Sequence, residues 1–109
     1  MTQVRKRPPN RRFCETATIE HGGEKFHYSV GFLNRQPIDI WINGAKVGSD
    51  IQALLCDAAV ACSFALQYGA SIYDLRQPMV QTTFGAASSV IGKILDDIMS
   101  RFMMEGALA

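Results

Sequence analysis

The hydrophobic pattern of this chain changes period once, and the change falls across residues 43–50. Before it, apolar residues alternate. Phe26, Tyr28, Val30 and Phe32 share one face of the segment 25–32, and Ile38, Ile40 and Ile42 share one face of 37–43. After it, Ile51, Leu54, Leu55, Ala58, Ala59, Cys62 and Leu66 recur at helical spacing. A chain that runs in strands and then winds, within 109 residues, has the length of one domain. The pattern predicts an α+β fold: a three-stranded antiparallel meander packed against a long central helix, plus a short helix and a C-terminal helix.

Local signals place the boundaries. Residues 14–20 form a weakly patterned first strand, with Thr16, Thr18 and Ile19 supplying β preference. His21-Gly22-Gly23-Glu24 is a hairpin signal, and Asn34-Arg35-Gln36 turns the chain again. Ser49 with Gln52 makes a capping box, and Gly69 ends the helix. Val60 and Phe64 lie opposite its main apolar stripe, and Asp57 is the one charge after Asp50. Such a helix is expected to be covered on more than one side. Ser71 with Asp74 caps a short helix that stops before Pro78. Residues 78–87 read as a loop and 87–104 as a last helix. Val90, Ile91, Ile94, Leu95, Ile98 and Phe102 line one of its sides, and Lys93, Asp96, Asp97 and Arg101 the other.

Charge divides the chain unevenly. Arg5, Lys6, Arg7, Arg11 and Arg12 give residues 1–12 a charge of +5, while residues 13–109 carry −4. With Pro8 and Pro9, the first segment is predicted to be a basic flexible arm on a single domain over 13–109. Five cations attract nucleic acid in a salt-dependent way. The alternatives are a solvated tail or one that folds back on the acidic body. The charged, Pro-rich start has no apolar stretch of a signal peptide, and the longest apolar run, Val60–Leu66, is too short to span a bilayer. No membrane partner and a cytoplasmic location are expected.

Cys14, Cys56 and Cys62 cannot all pair, and neither His21 nor His27 stands at zinc-finger spacing from them. No metal, cofactor or catalytic group is predicted. Cys62 reads as a small core residue; the basic arm next to Cys14 favours its thiolate. The strand-to-helix turn is the strongest site candidate. Gly44, Lys46, Gly48, Ser49 and Asp50 surround a helix N-terminus, where free N–H groups and the helix dipole favour an anion such as a nucleotide phosphate. The order of these residues is not that of a Walker A loop. The bland reading is that the glycines turn the chain and Ser49 caps the helix. Trp41, outward between Asp39 and Asn43, and the apolar cluster Phe102-Met103-Met104 are candidates for an interface, and a two-fold homodimer is expected.

From about Phe13 to Arg76 the sequence resembles the TSCPD domain. That domain is found at the C-terminus of adenosylcobalamin-dependent ribonucleotide reductases and as small free-standing bacterial proteins. The stretches Lys25–Phe32, Gly44–Leu54 and Ala61–Ser71 carry the likeness. The opening Arg7–Arg12 and Ile19–Gly23 look like the free-standing members. The Thr-Ser-Cys-Pro-Asp signature is absent, as is a C-terminal cysteine pair, and 109 residues leave no room for a catalytic barrel. The resemblance implies a non-catalytic accessory domain that binds a nucleotide or a protein of deoxynucleotide metabolism. The competing class is a small nucleic-acid-binding regulator acting through the arm.

Overall fold

The computed structural model describes residues 4–44 and 48–103. Three strands, β1 (Phe13–His21), β2 (Glu24–Leu33) and β3 (Gln36–Asn43), form one antiparallel sheet in the order β1-β2-β3. The α+β meander expected from the alternation is what forms. The β1–β2 turn places Gly22 and Gly23 at φ of 61° and 81°. The β2–β3 turn does the same with Asn34 (53°) and Arg35 (66°). Both are the left-handed pairs that match strand twist in two-residue hairpins. Asparagine tolerates that region; arginine does so at a cost.

The alternation sorts the sheet into two faces. Phe26, Tyr28, Val30 and Phe32 on β2 and Ile38, Ile40 and Ile42 on β3 are buried on the inner face. Across the strands Val30 pairs with Ile40 and Tyr28 with Ile42. The outer face carries the rows Cys14–Gly31–Asp39, Thr16–Ser29–Trp41 and Thr18–His27–Asn43.

Helices cover the inner face. α1 (Asp50–Gln67) packs mainly on β3, while α3 (Val90–Phe102) lies against α2 (Ile72–Arg76) and reaches β1 and β2. Leu55, Ala59, Cys62 and Leu66 of α1 meet the sheet side chains, and Ile72, Ile94, Leu95 and Ile98 are fully enclosed. Serines cap all three helices: Ser49, Ser71 and Ser89 accept from the backbone N–H of Gln52, Asp74 and Gly92 at 3.0–3.1 Å. α3 starts at Val90, later than the periodicity alone suggests. Ala87 is instead held in a bridge with Gln81, and Ser89 supplies the cap.

α1 departs from the expectation of a helix covered on several sides. Only one stripe is buried, and Ile51, Leu54, Val60, Phe64 and Tyr68 are 43–68 % exposed. The reason is the layout of the layers. α2 and α3 sit toward the β1–β2 side of the sheet, so no described helix or strand backs the outer face of α1, where the Arg5 side chain reaches Phe64.

α1 also covers an edge. β3 is an outer strand, and an unpaired strand edge is a liability. The Ser63 hydroxyl accepts from the Ile40 N–H at 2.8 Å and donates to the Ile40 carbonyl at 3.2 Å. Gln67 donates to the Ile38 carbonyl at 3.3 Å. Both polar side chains are buried and fully used, which explains their place in an otherwise apolar stripe.

Candidate functional site

The turn before α1 is set by glycines on either side. Gly44 has φ 127°, and a Cβ there would lie 2.8 Å from the Lys25 carbonyl oxygen and 2.9 Å from the Phe26 Cα. Glycine is therefore required for the chain to pass over β2. Its N–H donates to the Asn43 side chain at 2.8 Å. Gly48 donates its N–H to the Gln52 side chain at 2.8 Å, which completes the predicted capping box one residue early. Two N-terminal donors of this region are thus satisfied internally. The Asp50 and Ile51 N–H groups are first-turn donors that no intrahelical carbonyl reaches. Asp50, an acid in the same first turn, competes with any anion for them. Lys46 lies outside the described residues.

The basic segment lies along the body at several points. The Lys6 N–H donates to the Gln67 carbonyl at 2.7 Å, and the Arg5 Nε donates to the Gln67 side chain. The Arg5 guanidinium carbon sits 4.1 Å from the centre of the Phe64 ring. Arg12 reaches over the outer face of the sheet. Its Nη2 pairs with Asp39 Oδ2 at 2.8 Å, its Nη1 donates to the Pro9 carbonyl at 2.8 Å, and its guanidinium stacks 4.8 Å from the Trp41 ring centre. The fold-back alternative describes these three residues. The side chains of Lys6, Arg7 and Arg11 face solvent.

Asp39 is the residue that sequence reasoning undervalued. Alternation places it on the outer face, yet it is buried, covered by Arg12 above Gly31. A Cβ on Gly31 would collide with Asp39 Oδ1 at 2.2 Å, so that glycine makes room for the pair. Asp39 Oδ1 and Arg12 Nε have no hydrogen-bond partner, which leaves the pair joined through one oxygen. A groove of 340 Å³ runs beside it between β3 and α1, lined by Arg5, Pro8, Trp41, Cys56, Val60 and Phe64 among others. Its Arg5, Pro8 and Asp39 walls are brought together only by the fold.

The other candidates fall in different places. Trp41 is 46 % exposed beneath Arg12. Phe102 packs edge-on against Phe32 with ring centres 6.1 Å apart, and Met103 is half-buried against the core. His27 Nδ1 shares a 2.8 Å hydrogen bond with Thr18 Oγ1, across the β1–β2 pair. Cys14 and Cys56 are exposed; Cys62 is buried, and burial pushes its thiol pKa up. Among the described residues no three His, Cys, Asp or Glu side chains gather as a metal site.

The polar side of α3 does more than face water. The Tyr28 hydroxyl donates to Asp97 at 2.6 Å, and Arg101 forks onto the same carboxylate at 3.0 and 3.4 Å. Burial, then the Asp97 hydrogen bond, raises the Tyr28 pKa far above its ordinary value. Arg76, itself buried, bridges Asp96 at 2.7 Å and the Gly85 carbonyl at 3.2 Å, which ties α2, the following loop and α3 together.

Comparison with known proteins gives one result that bears on this arrangement. No family model and no solved structure matches the chain. Over 93 residues, 84 % of its length, it is 30 % identical to a vitamin B12-dependent ribonucleotide reductase of Agrobacterium fabrum. The chain spans 7 % of that enzyme's length. Most of this chain is thus similar to a small part of a ribonucleotide reductase.

Proposed function

We propose that this chain is a non-catalytic accessory domain of the TSCPD type, serving a ribonucleotide reductase by binding a nucleotide or a protein of deoxynucleotide metabolism. One observation supports the reading above the others: the likeness runs through most of this chain but through only 7 % of the reductase. A piece of that size fits an appended domain and is too short for a whole catalytic barrel.

The nucleotide arm of the proposal places phosphate at the α1 turn. The Asp50 and Ile51 N–H groups supply two donors, and Lys46 supplies the positive charge that the Asp50 carboxylate makes necessary. The test is calorimetric titration of the purified protein with ribonucleotides and deoxynucleotides, alongside sedimentation with a purified cobalamin-dependent reductase. Nucleotide binding weakened about tenfold by Lys46→Ala, corresponding to roughly 1.4 kcal/mol, supports the nucleotide arm. Co-sedimentation with the reductase supports the protein arm. Failure of both defeats the proposal.

The competing nucleic-acid reading meets a physical limit in the same titration. With Arg5 and Arg12 engaged on the body, three exposed cations, Lys6, Arg7 and Arg11, are left in the arm. Three phosphate contacts give a log–log salt slope of about −3 on duplex DNA. Salt-sensitive DNA binding abolished by deleting residues 1–12 would favour that reading over ours.

A further inference from the structure

The exposed face of α1 carries an ordered pattern. Residues 50, 54, 57, 61, 64 and 68 follow one another at alternating intervals of four and three, so they share one stripe of the helix. They are Asp50, Leu54, Asp57, Ala61, Phe64 and Tyr68, and all six are exposed, with Val60 exposed beside them. Apart from its two acids the stripe is apolar or, at Ala61, small. Charge is distributed along it unevenly. Both acids stand in the N-terminal half of α1, whereas the Arg5 guanidinium is laid over Phe64 in the C-terminal half.

We propose that this stripe is the docking surface for a second copy of the chain, the two α1 helices packing antiparallel about a two-fold axis that crosses the exposed seam between Asp57 and Ala61, at the level of residue 59 along the helix. In that register Leu54 faces the partner's Phe64, Asp57 faces the partner's Ala61, and Asp50 faces the hydroxyl end of the partner's Tyr68. Each Asp57 then lies about one turn from the partner's Arg5. The stripe is self-complementary only in this orientation. A parallel pair would set Asp57 against Asp57 inside an apolar seam, where like charges repel most. The small side chain of Ala61 lets the helices close at that level. The arrangement is isologous, and so it closes with two copies.

A bilayer is the rival occupant, since the whole 18-residue α1, unlike the shorter run Val60–Leu66 considered from the sequence, has the length and composition to cross one. Two features disfavour it. Asp50 and Asp57 stand within the stripe, where membrane-surface helices carry apolar residues flanked by cations. The other side of the helix is tied to β3 through Ser63 and Gln67.

The test is sedimentation equilibrium of the purified protein over a micromolar range. The expected mass is about 24 kDa, twice the 12.0 kDa of one chain. Leu54→Glu, at a position outside the core, should raise the dimer dissociation constant at least tenfold while circular dichroism and the melting curve of the monomer stay unchanged. Asp57→Arg should weaken the dimer by facing Arg5 with a like charge, and adding Arg5→Asp should restore it. A mass near 12.0 kDa throughout overturns the proposal. So does a dimer indifferent to both single variants, which would place the contact elsewhere. A monomer that floats with phosphatidylglycerol vesicles and loses that behaviour in Leu54→Glu would assign the stripe to lipid.

Discussion

Replacing Arg12 with alanine isolates what the basic segment does for the fold. The Asp39 carboxylate, 7 % exposed, would lose its counter-charge, and its free oxygen has no partner to fall back on. Breaking a fully buried ion pair costs about 3–5 kcal/mol, whereas an exposed pair is worth about 0–1 kcal/mol. The Arg12 side chain is 17 % exposed, and water would enter the space it leaves. The expected loss is therefore about 2–3 kcal/mol, with the contact to Trp41 included. For a domain of this size that lowers the melting temperature by roughly 10 °C. Urea unfolding is the assay, and Trp41, the single tryptophan, is its probe. Because Arg12 covers that ring, emission should shift to the red before any urea is added. Arg12→Lys keeps the charge but loses the planar contacts, and should fall between wild type and alanine. Arg12→Met combined with Asp39→Leu removes both charges, and should cost less than Arg12→Ala alone. An Arg12→Ala protein within about 0.5 kcal/mol of wild type would refute the reasoning, because a buried unpaired carboxylate cannot be that cheap. Strict additivity in the Arg12–Asp39 cycle would refute it equally.

Two further outcomes test the interior. The Tyr28 phenol keeps its proton in the folded state well above pH 10, while in the unfolded chain it ionises near 10. The unfolded state therefore binds fewer protons there, and stability should fall as pH rises past 10 by up to about 1.4 kcal/mol per unit; Tyr28→Phe should remove that part of the slope, and an unchanged slope would count against the assignment. With a thiol reagent, Cys14 and Cys56 should react promptly and Cys62 only on unfolding, so three fast thiols would contradict the placement of α1 on the sheet.

The elements were legible because each announces itself over a few neighbouring residues. A strand with one buried face must alternate, so Phe26–Phe32 and Ile38–Ile42 declare both their state and their inward side. Serines followed by acceptor-seeking first turns mark the starts of the helices at Ser49 and Ser71, and Gly22-Gly23 marks a hairpin. The extent of α1 was equally plain. Its environment was not. A helix apolar around most of its circumference shows that several sides resist water, but not whether this chain or another copy covers them.

The candidate site was legible only in part. The turn at Gly44–Asp50 stands out by residue types that suit an anion. Packing then gave two of its members another duty: Gly44 clears the backbone of β2, and Gly48 closes the cap with Gln52. Asp39, Ser63 and Gln67 left no periodic trace. The first reads as an outward polar residue and the other two as breaks in an apolar stripe. Their roles come from Arg12 crossing the sheet and from the free edge of β3 lying against α1. Period, capping and turn chemistry arise from interactions between residues close in the chain, and these the order of amino acids dictates directly. A guanidinium that buries a carboxylate, or a hydroxyl that seals a strand edge, depends on groups far apart in the chain meeting in space, and that meeting follows from how the layers pack.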